Sequence, residues 1–350
     1  MLIFHQEEQI GKAPDPGCLQ DAKEFEDLLP ALEGLDLAPD DPGNAVAIDP
    51  ETATLEDLKI TLKFIKLIHG ATLDNGGLDP NTIDQLRNPI EQPLDVGDPD
   101  LLLALRIFLA TTSAAHDTYT DVMYAISERF PDSESLSHYQ IKQRITQLTG
   151  ISPLVHDMCI NSCAGFTGPF ENLMHCPICR QFRYDPIPCN ESNGDQKIPC
   201  QTFCTFLIGP QLQTLWRNPE TAEALHYRVR RTEEISAASQ REDGSIDIQV
   251  YEDIPCGSEY IEAFLAGCIG EHDTTLLLSL NGTQLYRKKV SDCWIYIWLI
   301  FDFSPELQYK KHVVFFGSII PGPLKSKHFD SLLYPGFHHL SALQCDGFRV

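Results

Sequence analysis

Apolar residues recur at helical spacing through most of the first half of the chain. The stretch 55–69 carries them on one face, and the stretch after Asp98 is apolar enough to form a core helix. Asp98 followed by Pro99 suits a helix start, because aspartate caps the first turn and proline fits its first position. The pattern therefore predicts a helical region over residues 56–150.

The same half carries other boundary signals. Ser137 and Gln140 have the spacing of a capping box, and Gly150 stands where the last turn of that helix would end. Residues 1–55 follow neither the helical nor the strand period, since proline, glycine and acidic residues alternate there. They predict a low-order acidic N-terminal segment.

The last part of the chain changes to a strand-like pattern. Three runs are rich in β-branched and aromatic residues and are separated by short polar connections: 274–286, 292–303 and 312–320. They predict adjacent antiparallel strands, with a helix over 331–346 against one face. Because three strands make a small sheet, the apolar run 294–301 is expected to keep an uncovered edge or face.

Four cysteines stand between these two regions. Cys159 and Cys163 form a C-x3-C pair, and Cys176 and Cys179 form a C-x2-C pair further on. Two close pairs separated by a loop place four thiolates around one tetrahedral Zn²⁺. The segment 151–190 is therefore predicted to be a knuckle that binds a structural zinc ion.

Alternatives to that ligand set stay open. His156 or His175 lies close enough in the sequence to replace one cysteine, and the thiols could also be free or form disulfides. The N-terminus has no signal-peptide pattern, which predicts an intracellular, reducing compartment and disfavours disulfides. No apolar run approaches the length of a membrane span, so no membrane association is expected.

Charge narrows the range of partners. The formal net charge of −24 argues against indiscriminate nucleic-acid binding. Residues 1–150 hold 27 acidic and 10 basic side chains, a net −17, whereas residues 151–350 hold 23 and 16, a net −7. The acidic first half suggests either solvation or a protein partner, and any contact with DNA is expected in the second half.

A local basic cluster lies in the stretch 191–273, which is predicted to be a linker with helices. Such a cluster is common on a solvated helix face, and the alternative is contact with phosphates. The candidate nucleic-acid-binding residues are Arg217, Arg228, Arg230 and Arg231.

Several long segments keep the order seen in a known family. They read VHDMCINSCAGFTGPFENLMHCPICRQFRYDP, GPQLQTLWRNPETAEALHYR, LLLSLNGTQLYRKKVSDCWIYIWLIFDFSP and IIPGPLKSKHFDSLLYPGFHHLSALQ. Together they resemble fungal CACTA-like transposases of the Plavaka type, which are DNA-cutting and strand-joining enzymes. The resemblance implies transposon-end DNA as a partner, the nucleus as the compartment, and a cysteine zinc motif ahead of an RNase H-like core.

The resemblance also implies a fold class. It is an α+β multidomain chain with a helical N-terminal region, a small zinc knuckle and a truncated RNase H-like mixed α/β domain. That last domain would occupy residues 274–350 and contain only the first three strands and one helix. The later acidic residues of the family would then lie beyond the end of the chain.

Catalysis in such cores needs two divalent ions, usually Mg²⁺, held by acidic side chains. The family's first strand resembles S-x-D-G-x-Q-L, whereas residues 279–285 read SLNGTQL. Asn281 therefore stands in the position of the first acid, and an amide is a poor ligand for a hard cation. Asp302 is the candidate substitute, although it also suits a strand-end turn. The resemblance thus implies an inactive copy that does not bind Mg²⁺.

Two functions of other classes remain open. One is a non-catalytic, zinc-dependent adaptor that binds DNA or protein. The other is a zinc hydrolase or nucleobase deaminase, which would need H-x-E ahead of P-C-x-x-C and an open zinc position. The sequence has HDMC and CPIC instead.

Overall fold

The first described part of the chain is helical, as its apolar spacing predicts. The computed structural model describes residues 55–89, 96–192, 194–239, 248, 251, 253–284, 292–322 and 326–350. Apart from residues 55–62, these belong to one compact unit, Lys63–Val350. Its first helices are α1 (Glu56–His69), α2 (Pro80–Arg87), α3 (Pro99–Ala110), α4 (His116–Arg129) and α5 (His138–Thr149). The predicted low-order segment 1–55 lies outside the described residues, except for Leu55.

The predicted helix boundaries are confirmed in α3 and α5. The Asp98 carboxylate accepts the Asp100 backbone N–H at 3.0 Å. Ser137 and Gln140 form the reciprocal capping box, and Gly150 closes α5 in the left-handed conformation at φ 69°. Glycine suits that last position because a side chain there would be strained. Helices α3, α4 and α5 share a small core built around Ala104, Tyr119, Met123, Leu136 and Ile141.

The later helices are shorter than most of the first five, apart from α9 with 13 residues and α12 with 18. They are α6 (Pro186–Glu191), α7 (Ile208–Trp216), α8 (Pro219–Leu225), α9 (Tyr227–Ser239), α10 (Ser258–Leu265), α11 (Pro305–Gln308) and α12 (Phe329–Asp346). The long helix α12 confirms the helix predicted over 331–346. No helix in the described part of the chain has the length and apolar character needed to cross a membrane.

One antiparallel sheet joins the two parts of the chain. Its strands are β1 (Pro153–Met158), β2 (Gln201–Phe206), β3 (Leu276–Gln284), β4 (Asp292–Ile300) and β5 (Phe315–Pro321). Their spatial order is β1-β2-β5-β4-β3, and every neighbouring pair is antiparallel. The prediction that the last three strands are adjacent and antiparallel is confirmed. The fold is thus mixed α/β.

The prediction that the run 294–301 keeps an uncovered edge is wrong. Strand β4 lies between β3 and β5, and its residues Tyr296, Trp298 and Ile300 are buried. The sheet is larger than expected because β1 and β2 come from the cysteine segment and the stretch after it. Strand β2 pairs with β5, where Cys204 lies opposite Ile319, and β1 pairs with the other side of β2. The sheet therefore draws on three of the predicted domains, 151–190, 191–273 and 274–350.

The main core lies between this sheet and α12. The ring of Trp298 meets Phe337 of α12 edge-to-face at 5.9 Å between centroids. Leu212 of α7 and Leu343 of α12 belong to the same buried cluster. Gly336 permits the close approach, because a Cβ there would lie 2.1 Å from the Tyr296 hydroxyl.

Candidate metal centre

The first cysteine pair lies on a tight turn at the end of β1. The Cys159 N–H donates to the Ala164 carbonyl at 2.9 Å, and the Ser162 N–H donates to the Cys159 carbonyl at 2.8 Å. Met158 pairs with Gly165 across the base of the turn. Ser162 adopts φ 57°, which is unfavourable for a residue with a side chain and brings the chain back sharply.

The second pair repeats this geometry. The Cys176 N–H donates to the Gln181 carbonyl at 2.8 Å, and the Arg180 N–H donates to the Cys176 carbonyl at 3.0 Å. His175 pairs with Phe182 across the base, and Arg180 has φ 63°. Each turn therefore presents two sulfurs from the tip of a short antiparallel ladder.

The four sulfurs converge. The Sγ atoms of Cys159, Cys163, Cys176 and Cys179 all lie within 4.8 Å of one another. The Cys159 and Cys179 sulfurs are 3.4 Å apart, which is much longer than the ~2.05 Å of a disulfide bond. Four thiolates at ~2.3 Å from one tetrahedral ion would be separated by ~3.8 Å, so the arrangement fits a metal. These four cysteines could hold a metal ion.

The electrostatics of the cluster also fit a cation. Burial raises the pKa of Cys159, and burial together with the Cys179 thiol raises the pKa of Cys163 to about 11. Burial acts to raise the pKa of Cys179 as well, but the hydrogen bond from the Gln181 amide and those from neighbouring groups lower it to about 6. A buried thiolate cluster needs a positive charge to stay ionised, and a bound metal ion supplies it.

The ligand set is closed and contains no histidine. His156 packs its ring on Phe203 at 5.0 Å, and His175 packs on Phe182 at 4.8 Å. Neither is part of the converging group found among the described residues. Four protein ligands fill a tetrahedral site, so no position is left for a water molecule or a substrate.

The sequence did not point to the groups that hold the sulfurs in place. The Asn161 N–H donates to the Cys159 sulfur at 3.4 Å, and its side-chain amide donates to the Cys179 sulfur at 3.6 Å. Arg183 bridges the two turns, because its Nε donates to the Asp157 carboxylate at 2.6 Å. The signal available in the sequence was the position of Asn161 inside the first pair, where a short polar side chain can reach a thiolate.

The cysteine turns are tied directly to the loop that precedes α12. The Cys163 carbonyl accepts the Ser326 hydroxyl at 2.9 Å and the backbone N–H groups of Lys327 at 3.2 Å and His328 at 3.0 Å. The Ser331 hydroxyl accepts the Gly165 N–H at 2.9 Å. A change in the conformation of the cysteine turns would therefore alter the contacts that position α12, the helix that covers the main core.

The two residues predicted for a catalytic site lie far apart. Asn281 is exposed on the edge strand β3, opposite Ile295. Asp302 is buried after β4, and its Oδ2 accepts the Thr275 N–H at 2.7 Å. Thr275 and Asn281 are separated by six residues of extended chain, about 20 Å. The pair does not form one site, whereas ions in two-metal centres lie ~3.5–4 Å apart.

The four arginines predicted to contact nucleic acid are not on one exposed surface. Arg228 is only 1% exposed, and its Nε donates to Asp302 at 2.7 Å. Arg217 donates to the Leu148 carbonyl at 3.3 Å. The remaining two lie on α9 and form surface ion pairs, Arg230 with Glu223 of α8 and Arg231 with Glu234.

No family model, curated protein or solved structure matches this chain. The function of the metal centre is therefore inferred from its own residues and their geometry.

Proposed function

We propose that this chain is a non-catalytic relative of DNA transposases, in which the four converging cysteines hold one structural Zn²⁺. The observation that carries the proposal is the closed set of four sulfurs on two matching turns. Zinc is favoured because an all-thiolate tetrahedral site suits it better than a hard cation such as Mg²⁺. When bound, the ion supplies a fixed point of attachment and no chemistry.

The residues around the cysteines determine what that attachment does. Asn161 stabilises negative charge on two sulfurs, and Arg183 fixes one turn against the other through Asp157. The Cys163 carbonyl holds the loop before α12. The metal would thereby fasten the β1 edge of the sheet to the helix that covers it.

The transposase part of the proposal rests on the ordered sequence segments and on the order of elements. An RNase H-like domain begins with three antiparallel strands followed by a helix, and β3, β4, β5 and α12 follow this order. The absence of catalysis is supported by Asn281 in the position of the first acid and by the engagement of Asp302 with Arg228. The nucleus and transposon-end DNA are the compartment and partner proposed with this family.

A second candidate function is a zinc-dependent adaptor that binds a protein. It is favoured by apolar side chains that are exposed around the cysteine turns: Ile160, Met174, Phe182 and Ile198. Exposed apolar groups in one region are typical of protein contact surfaces, whereas DNA contact needs free positive charge.

The metal can be tested by its stoichiometry. Protein purified without chelator should carry one zinc per chain by mass spectrometry, and the Cys176→Ser, Cys179→Ser double variant should carry none. The matched control is Cys268→Ser, Cys345→Ser, which changes two exposed cysteines outside the cluster and should keep the metal. A wild-type chain without zinc, or a control that loses it, would contradict the proposal.

Catalysis and binding need a separate assay. Labelled DNA incubated with the wild-type chain or with Asn281→Asp in Mg²⁺ or Mn²⁺ should stay uncut in both cases. A transposase relative that retains DNA binding should bind with an affinity that falls steeply as salt rises. Absence of DNA binding at low salt would favour the protein adaptor, and metal-dependent cleavage by the wild-type chain would refute the non-catalytic assignment.

A further inference from the structure

A second polar region lies beside the segment that follows the first cysteine turn, and it is separate from the four cysteines. A cavity of about 210 Å³, partly open to solvent, is lined by the loop between α1 and α2, by helix α12, and by β1 with the chain after Gly165. Three histidines line it, His156 from β1 and His338 and His339 from α12. None of them belongs to the metal centre.

Helix α12 is irregular where it lines the cavity. Pro335 has no N–H, so the Ser331 carbonyl one turn earlier has no partner within the helix. The Thr167 hydroxyl donates to that carbonyl instead. Thr167 and Pro335 both line the cavity, and this hydrogen bond fixes one wall of it against another.

His339 is a buried donor without an acceptor. Its side chain is 3% exposed, and its Nε2 accepts the Gly209 N–H at 3.2 Å. A neutral imidazole that accepts at Nε2 carries its proton on Nδ1. Among the residues that the structure describes, that buried Nδ1 has no hydrogen-bond partner, and neither has the buried Nε2 of His156.

The charge of the lining excludes most charged ligands. Burial lowers the pKa of His339 to about 3 and that of His156 to about 4, and it lowers the pKa of His338 as well. The imidazoles are therefore neutral near pH 7. No lysine or arginine of the described ranges lines the cavity, and its carboxylate, Glu171, is exposed. An anion would have no partner inside, and the histidines do not converge into a metal site among the described residues.

The size of the cavity and the apolar part of its lining indicate the body of the ligand. An engineered protein cavity of about 150 Å³ accepts benzene, so the present one has room for a ring with a small substituent. Leu73, Leu78, Phe166 and Leu207 contribute apolar surface beside the polar groups. Ligand sites in proteins commonly combine mostly apolar walls with a few placed polar groups.

We propose that this cavity binds a small uncharged molecule with an apolar body and a hydrogen-bond acceptor, such as a carbonyl oxygen, that takes the Nδ1–H of His339. This binding site is separate from the metal centre and does not depend on the transposase assignment. The cavity would bind the same ligand whether or not the chain cleaves DNA.

A matched set of probes tests each part of the proposal. Benzamide carries the ring, no charge and an acceptor; toluene lacks the acceptor; benzoate and benzamidinium add a negative or a positive charge. In ligand-observed NMR titrations of the full chain near neutral pH, benzamide should have the highest affinity of the four probes. We expect its affinity to exceed that of toluene by about threefold to tenfold, the contribution of one hydrogen bond, and benzoate and benzamidinium to bind more weakly still.

The variant His339→Gln isolates the donor. A glutamine carbonyl can still accept the Gly209 N–H, whereas its NH₂ group is bonded to Cδ, beside that oxygen, so that no N–H remains at the position of Nδ1. The preference for benzamide over toluene should disappear in this variant and persist in His312→Gln, an exposed histidine outside the cavity. Circular dichroism and metal content establish that both variants are folded.

A wild-type measurement covers the case in which His339→Gln fails to fold. In ¹⁵N-histidine spectra, one buried histidine should be in the Nδ1–H form, and its signals should shift on addition of benzamide. The proposal is overturned if no probe binds the folded wild-type chain, which would leave the cavity as a hydrated space. It is overturned equally if toluene, benzoate or benzamidinium matches benzamide, or if the histidine signals do not respond.

Discussion

Two buried polar clusters sit at opposite edges of the same sheet, and they differ in what neutralises them. The four cysteines lie at the end of the edge strand β1. The Arg228–Asp302 pair lies beside Thr275, at the start of the other edge strand, β3. The cysteine cluster contains only groups that become negative, so it needs a cation from outside. The arginine cluster contains both charges and is complete in itself.

The arginine cluster satisfies nearly every donor of one side chain. Besides Asp302 at 2.7 Å, Arg228 donates to the Tyr260 hydroxyl at 3.2 Å and to the carbonyls of Gly270 at 3.0 Å and Asp273 at 2.6 Å. Burial acts to lower the pKa of Arg228, but Asp302 and Tyr260 raise it above its usual value. From this difference we expect one edge of the sheet to depend on a bound cation for its stability, whereas the other contains the partners of its own buried charges.

Removal of the metal should therefore give the largest effect and break only one of the two regions. Structural Zn²⁺ contributes about 10–16 kcal/mol of binding free energy in small zinc-finger peptides, which is comparable to the whole stability of a domain. A strong chelator should open the segment 153–206, measured by hydrogen exchange. The amides around Arg228 should stay protected longer.

Simultaneous loss of protection in both regions would show that the cysteine turns support the entire unit. No loss in either region would show that the turns fold without metal. Addition of zinc after chelation should restore protection, which distinguishes metal loss from irreversible damage.

The arginine cluster should respond to single substitutions and much less to a double one. Asp302→Asn or Arg228→Met each leaves a buried charge without its partner and should lower the free energy of unfolding by about 3–5 kcal/mol. The double variant should cost clearly less than the sum, because no isolated charge remains. Denaturant unfolding measures all three.

The control for this cycle is an exposed ion pair between α8 and α9, the helix that carries Arg228. Glu223→Gln removes the surface partner of Arg230 and should change stability by less than about 1 kcal/mol. Strict additivity of the two buried substitutions would contradict the coupling between Arg228 and Asp302.

The contrast also explains what the sequence could predict. The cysteine pairs, the capping box of α5 and the three C-terminal strands are local patterns, and each could be read from neighbouring residues. Arg228 and Asp302 are 74 positions apart, and β2 joins β5 across more than a hundred residues. No local pattern encodes such pairings, so an arginine that the sequence suggested for phosphate contact is instead buried in an ion pair.

The histidine cavity was not predicted for the same reason. His156 and His339 come from elements that meet only in the folded chain.

The start of strand β5 is a smaller difference between the sequence prediction and the structure. The strand was predicted over 312–320 but begins at Phe315, three residues later, because Val313 is buried in the preceding turn. Apolar residues can be buried by a turn as well as by a strand.

Acid should weaken the fold through His339. Its pKa is lowered to about 3 by burial and by the neighbouring His338, whereas an unfolded histidine titrates near 6.5. Below pH 6.5 the unfolded state binds a proton that the folded state does not, so stability falls as the pH falls towards 3, by up to about 1.4 kcal/mol per pH unit. His339→Gln should remove this contribution and flatten the pH profile relative to His312→Gln. An unchanged slope would mean that His339 is protonated in the fold.

The smallest expected effect concerns the hydrogen bond that links the cysteine segment to α12. Thr167→Val removes the donor to the Ser331 carbonyl and leaves a buried acceptor unpaired, which should cost about 1–2 kcal/mol. Because Pro335 is the reason that this carbonyl has no helical partner, Pro335→Ala restores an N–H at the required position. In that background Thr167→Val should cost less than half as much, measured as a double-mutant cycle in denaturant. An equal cost in both backgrounds would show that Thr167 acts through packing alone and not through its hydrogen bond to the Ser331 carbonyl.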